Sequence, residues 1–375
     1  MQTVKIDRQK IDSLQALRAW AFLGIFFSHA NFFIKWPTLG VSVFFVLSGF
    51  LMTYRYEKAE LSVFPKDCFF FSWKKIKKLY PLHIITMVCA IVLSVVRIMH
   101  NGLRLRSIVR LCGTIFLNVT LLQTWIPYSS VNVSLNGVAW YLSVTLFLYF
   151  MFPRIIKVVE QNSIIKLCVI CGIILIIEIL ACVPFIITLG NNSPIYIWFM
   201  YCFPVFRLGD FFTGCVLKRL FFERNIESME TRKATIYEVL ATMITVFVFL
   251  WLKQKHSSVI LLALHNWTTL YIPIAAIWVV LFAANKGLLT RILTNKVTLF
   301  VGNISAYAFL IHYVITQYTK ALLSYLNIEV DGWSKAIIVF AELMVSIGLS
   351  VLYKYLHEKY ISKLLFMGNN KAMSQ

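Results

Sequence analysis

The chain has 375 residues, of which 59% are hydrophobic and only 14% charged, with 31 Phe, 17 Tyr and 10 Trp; this composition excludes an ordinary soluble globular domain. A formal net charge of +20 would suit a nucleic-acid binder, but the basic residues fall in short clusters between apolar runs rather than on one amphipathic face. They read as loop charge on the inner side of a membrane, and nucleic acid is excluded as a partner.

Apolar runs long enough to span a bilayer, or nearly so, fall at 14–33, 39–56, 79–97, 111–127, 137–153, 164–189, 195–217, 235–252, 259–284, 298–326 and 334–353. The first is too long for a signal-peptide core and has no cleavage pattern, so it is expected to be retained. Basic clusters lie at Lys5/Arg8/Lys10, Lys74/Lys75/Lys77/Lys78, Arg104/Arg106/Arg110, Arg154/Lys157/Lys166, Lys218/Arg219/Arg224, Lys286/Arg291/Lys296 and Lys354/Lys359/Lys363. Kept inside in turn, they place both termini in the cytoplasm, which requires an even number of crossings. Basic loops flank the run 79–97 on both sides, so either it or 111–127 does not cross. The expectation is an all-α polytopic membrane protein with about ten transmembrane helices plus one re-entrant or interfacial helix, and with the loop PYSSVNVSLNG outside. Any chemistry must then lie within the bundle or at its two faces.

In the first run, "LRAWAFLGIFFSHANFF", Arg18 and His29 are eleven residues apart, which returns them to within roughly 20° of one helical face and separates them by roughly 16 Å along the axis. Ionisable groups at such depth face a bundle interior or a wet cavity, so the pair is either a site or a snorkelling arginine and a hydrogen-bonded structural histidine. The second run begins soon after, forming a hairpin with the first, and its Ser48–Gly49 pair is either a packing notch or a hydroxyl placed near His29. Further along, Trp140 is an interfacial belt residue or a glycan-stacking platform. Arg207 and Asp210, spaced i, i+3, read as an intramembrane ion pair. His312 shares a helix face with Ser305, and Glu178 and Glu342 sit alone in apolar runs. The eight cysteines are scattered through apolar segments without His or carboxylate neighbours, so neither a disulfide framework nor a metal site is expected, and Cys168 and Cys171 in "IIKLCVICGIILII" read as small helix residues. No Walker A, GxGxxG or HExxH pattern is present.

"SLQALRAWAFLGIFFSHANFF" followed by "LGVSVFFVLSGFLM" resembles the opening of the acyltransferase-3 family of integral-membrane O-acyltransferases, in its exopolysaccharide and O-antigen acetyltransferase branch. Further segments resemble the family in order. "FFFSWKKIKKLYPLH" is similar to its RxxR-then-YP segment, with Lys75 and Lys78 at the arginine positions. "GVAWYLSVTLFLYFMFP" is similar to its W-x-LS helix, which carries Trp140 and Ser143. "FRLGDFFTGCVL" is similar to its R-x-x-E-F helix, and "VGNISAYAFLIHYVI" to its ISY-x-x-x-L-x-H helix. The resemblance covers about residues 11–355 of a single integral-membrane domain, with 356–375 expected as a cytoplasmic tail. Departures are the two lysines, which keep charge but lose the bidentate fork, Thr145 in place of a glutamate, Asp210 one methylene shorter than glutamate, and Ala306 and Phe309 in place of tyrosines.

The resemblance implies transfer of an acyl group, most simply acetyl, from cytoplasmic acyl-coenzyme A to a hydroxyl of a cell-surface glycan or its lipid-linked precursor in a bacterial inner membrane. No bound cofactor is implied, and membrane lipid, the glycan and acyl-CoA are the partners. His29 becomes the candidate base or transient acyl carrier, with Ser48 beside it, since imidazole titrates near neutrality. Arg18, Lys75 and Lys78 become donor-binding candidates, while Trp140, Ser143, Arg207, Asp210 and His312 fall to the acceptor side or to structure. Two other classes also fit buried charges in a bundle: a flippase of lipid-linked sugars, against which stands the lack of an internal repeat, and an inactive interaction protein.

Overall fold

The computed structural model describes residues 11–32, 37–102, 104–254, 258–264 and 267–361, and among these the chain is helical throughout, with no strand. In chain order the helices are α1 (Ser13–His29), α2 (Pro37–Tyr56), α3 (Pro65–Ile76), α4 (Tyr80–His100), α5 (Leu105–Val119), α6 (Ser129–Asn132), α7 (Trp140–Gln161), α8 (Ile164–Leu189), α9 (Pro194–Tyr201), α10 (Leu208–Glu223), α11 (Thr231–Leu252), α12 (Val259–Leu264), α13 (Trp267–Ala284), α14 (Leu288–Leu293), α15 (Lys296–Tyr325) and α16 (Gly332–Leu356). Eight stretches among the described residues are long and apolar enough to cross a bilayer, so the chain is a multi-pass, all-α membrane protein. The helix ends follow local rules. The Ser163 hydroxyl accepts the Lys166 N–H at the start of α8, Gly190 ends α8 at φ 78°, and Asn295 with Thr298 forms a capping box on α15.

Two apolar runs fold differently from their hydropathy. The run 195–217 is broken, because Pro204 lacks an N–H and restricts the residue before it; α9 stops at Tyr201 and α10 starts only at Leu208. In the run 111–127 the helix ends at Val119, Leu121 turns at φ 56°, and a short 3₁₀ turn follows at Gln123–Trp125. With 15 residues α5 is about 22 Å long, whereas α4, with 21, is one of the eight candidate spans.

The core is assembled around α1, α2, α10 and α15. On α15, Gly302 abuts the Gln15 carbonyl, Ser305 meets Arg18 and His312 meets His29, so the rising numbers show two parallel neighbours. Helices α2 and α10 also run parallel, Ser42 meeting Arg207 and Phe50 meeting Phe221, and they are joined by a reciprocal notch in which Gly49 lies on the Phe211 carbonyl and Gly214 on the Val46 carbonyl, where a Cβ would strike backbone. The Ser48–Gly49 notch is therefore filled by α10. By contrast, α8 and α11 turn apolar stripes outward, such as Val239, Met243 and Phe247, as helices facing lipid do.

Candidate active site

Arg18 and His29 do share one face of α1, and α15 answers both. The Arg18 Nε–H donates to Ser305 Oγ at 3.3 Å, and Ser305 Oγ–H in turn donates to the Gly302 carbonyl at 2.8 Å. At the other end His29 Nδ1 lies 3.1 Å from His312 Nε2, the two rings being stacked with centroids 5.3 Å apart. His312 is fully buried, edge-on to Phe22 and Phe26, with its Nδ1 3.1 Å from the Ala308 carbonyl. A carbonyl only accepts, so His312 Nδ1 carries the hydrogen; for neutral rings, Nε2 then holds a lone pair and receives the His29 Nδ1–H. The remaining nitrogen of His29, Nε2, is left as an unprotonated base. The Lys320 ammonium donates to the His29 carbonyl at 3.0 Å, and the Tyr313 ring lies edge-on to His29 with centroids 5.2 Å apart.

The segment before α7 closes over this histidine end. The Asn136 amide donates to the Leu310 carbonyl at 2.9 Å and to Thr86 Oγ1 at 3.0 Å, and a Cβ on Gly137 would fall 2.8 Å from the Tyr313 ring. None of these contacts is legible in hydropathy, because each joins segments far apart in sequence.

Ser48 lies elsewhere than the sequence suggests. In the hairpin Gly40 packs on Ala21 and Ile25, so eight residues further down α2, about 12 Å, Ser48 has reached the level of Arg18 and not of His29. Its hydroxyl pairs with the Tyr149 hydroxyl of α7 at 2.7 Å. Tyr149, Tyr141 and Tyr307 all lie within electrostatic reach of the Arg18 guanidinium. These tyrosines went unremarked in the sequence, where they look like ordinary aromatic filling.

The lysines come to the same region. The amphipathic helix α3, which the hydropathy pattern does not separate from its neighbours, delivers Lys75 to the hydroxyl of Tyr56, with its ammonium 4.2 Å from that ring's centroid. Lys78 is exposed and stands 5.8 Å from the Tyr307 ring, which is also within electrostatic reach of Arg18. Three cations thus converge on one end of the bundle, opposite the histidine pair.

The remaining candidates are internal. Trp140 is 4% exposed, packed on Tyr201 at a centroid distance of 4.6 Å, so it offers no open face for a sugar or a lipid headgroup. Ser143 donates to the Leu121 carbonyl and pairs with Thr124, tying α7 to the turn after α5. Arg207 and Asp210 form a fully buried ion pair at 3.2 Å; the same guanidinium donates to Ser42 at 3.2 Å and lies 5.0 Å from the Phe45 ring. Glu178 and Glu342, alone in the sequence, meet Thr269 and Thr316.

A family model described as an acyltransferase domain, acyltransferase-3, matches residues 11–355. Acyltransferase MdmB of Streptomyces mycarofaciens is 27% identical over 240 residues, covering 56% of this chain and 57% of that protein, so the match spans just over half the length of the relative. No solved structure matches. Since the family model spans nearly the whole chain, from the start of α1 to the last turn of α16, this protein belongs to the acyltransferase-3 family.

Proposed function

We propose that this chain is an O-acyltransferase, most simply an O-acetyltransferase, of a bacterial cytoplasmic membrane. It takes the acyl group from cytoplasmic acyl-CoA and delivers it to a hydroxyl of a cell-surface glycan or its lipid-linked precursor. Both termini lie in the cytoplasm, on the side of the basic clusters. One observation carries the reading: a single helix face holds a guanidinium at the end where Lys75 and Lys78 gather and an imidazole, backed by a second imidazole, at the other.

The lysines and Arg18 hold the phosphates of the donor and guide its extended arm inward over roughly 16 Å, the rise between Arg18 and His29. His29 Nε2 then either takes the proton of the acceptor hydroxyl, whose oxygen attacks the thioester carbonyl, or attacks that carbonyl itself and passes the acyl group on; in both routes the thiolate of CoA leaves and is protonated. His312 fixes the tautomer, so the lone pair of His29 points away from the pair and toward the substrate. Ser48 belongs with the donor passage at the level of Arg18 rather than with His29.

Inverted membrane vesicles supplied with acetyl-labelled acetyl-CoA test the assignment. Chain-dependent label in the glycan fraction is expected. Translocation of unmodified lipid-linked sugar with no label on glycan would replace the transferase reading by the flippase.

A further inference from the structure

Beneath Lys78, at the basic end of the bundle, three aromatic side chains from two helices meet in a way that leaves polar atoms unused. Tyr307 of α15 and Tyr353 of α16 pack ring to ring with centroids 5.3 Å apart, and Tyr353 in turn contacts the His357 ring at 5.9 Å. Lys78 lies over Tyr307 at 5.8 Å and is also within electrostatic reach of His357, which closes the cluster, while Arg18 reaches Tyr307 from the α1 side. All three rings are more than nine-tenths buried: Tyr307 is 3%, Tyr353 7% and His357 5% exposed. Among the described residues, the Tyr307 hydroxyl and both ring nitrogens of His357 have no hydrogen-bond partner.

Buried polar atoms in native proteins are almost always paired, because an unpaired one has given up its hydrogen bond to water with nothing in return. Three in one cluster, directly behind an exposed lysine, therefore call for a ligand that supplies the missing partners. The available chemistry defines it. A neutral imidazole offers one N–H donor and one acceptor, and a phenol offers one O–H donor and an acceptor oxygen. This set complements a secondary amide, with its N–H and carbonyl, better than a phosphate, which only accepts. His357 also opens a single wide turn (His357–Ile361) in which hydrogen bonds run i to i+5, a local departure from α-geometry that recurs at functional sites.

We infer that Tyr307, Tyr353 and His357 form the subsite for the amide-bearing pantetheine arm of the donor, immediately inside the lysines that meet its phosphates. The inference rests on the acyl-CoA reading and extends it to three residues with no previous role. Tyr307 and His357 hydrogen-bond the arm's amides, and the Tyr353 ring packs along its methylenes. An arm seated there lies beside Arg18, at the foot of the helix face that leads to His29.

The test measures binding of CoA, and separately of pantetheine at millimolar concentration, to the purified full-length protein in nanodiscs. Losing one or two such hydrogen bonds should weaken binding about tenfold. Tyr307→Phe and His357→Leu are each expected to weaken CoA and pantetheine by the same factor, while His357→Gln, which keeps a donor and an acceptor, stays within about threefold of wild type. Lys75→Ala with Lys78→Ala should weaken CoA alone. Tyr307→Phe removes a single oxygen atom, so it reports even where His357→Leu lowers folded yield. If wild type binds both ligands and the Tyr307 and His357 variants bind them equally well, the subsite is wrong and the donor reading stands. If wild type binds neither, the donor reading falls and takes the subsite with it.

Discussion

At one end of α1, His29 and His312 are hydrogen-bonded to each other and His312 in turn to the Ala308 carbonyl, with His312 set among phenylalanines and only His29 Nε2 left outside the pair. At the other end, Lys75 and Lys78 stand over tyrosine rings and Arg18 bonds Ser305, with buried polar atoms behind them still unpaired. The imidazole pair is oriented by protein groups alone, whereas the basic end leaves the Tyr307 hydroxyl and both His357 ring nitrogens without a partner among the described residues. If the chain works as proposed, that difference separates a group whose orientation is fixed before reaction from a surface that accepts and releases a large anionic molecule. It also explains why substitutions at the two ends should fail in different ways.

The largest effect is expected where the frame joining the ends is cut. Arg207 and Asp210 are 1% and 0% exposed, and they tie the start of α10 to Ser42 of α2. Arg207→Met leaves a buried carboxylate without its partner and should cost about 3–5 kcal/mol, read as loss of folded, membrane-inserted protein. Adding Asp210→Leu should restore most of it. Activity lost at full stability would instead make the pair part of the chemistry, and the contrast would no longer be between two ends alone.

At the histidine end, His312→Phe should lower transfer at least tenfold with little change in the Michaelis constant for the donor, because it removes the acceptor that holds the His29 Nδ1–H. His312→Gln, whose amide oxygen can accept that hydrogen, should retain more activity than His312→Phe. Equal losses in both would reduce His312 to packing.

The basic end should show the opposite split and the smallest effect. Lys75→Ala with Lys78→Ala should raise the apparent Michaelis constant for acyl-CoA several-fold with kcat nearly unchanged, and Lys→Arg at both positions should be tolerated. Unchanged donor kinetics in the alanine pair would leave those lysines as a topology signal.

The helical class, the order of the apolar runs and the alignment of Arg18 with His29 were legible because they follow from composition and from one local period. The break after α9 was also within reach, since Pro204 stands inside the run 195–217. The destination of Ser48 was not. A hairpin brings two helices together but not two residues, and only the register set by Gly40 against Ala21 and Ile25 shows that Ser48 sits by Arg18. His312 was visible as an intramembrane histidine, yet its contact with His29 spans 283 positions of sequence. His357 was hidden for a different reason. The apolar run stops at 353, so "KYLHEKY" looks like the start of a polar tail, although packing against Tyr353 buries the ring.

The central claim, that His29 carries the reaction and is not a structural histidine, is tested most directly by acylation measured per unit of membrane-inserted protein in His29→Gln and His29→Ala. Neither variant retains an imidazole nitrogen able to take a proton or an acyl group, so both should lose at least a hundredfold while insertion stays near wild type. Gln keeps a polar amide for His312; full specific activity in His29→Gln, with folded protein and activity falling together in His29→Ala, would contradict the account.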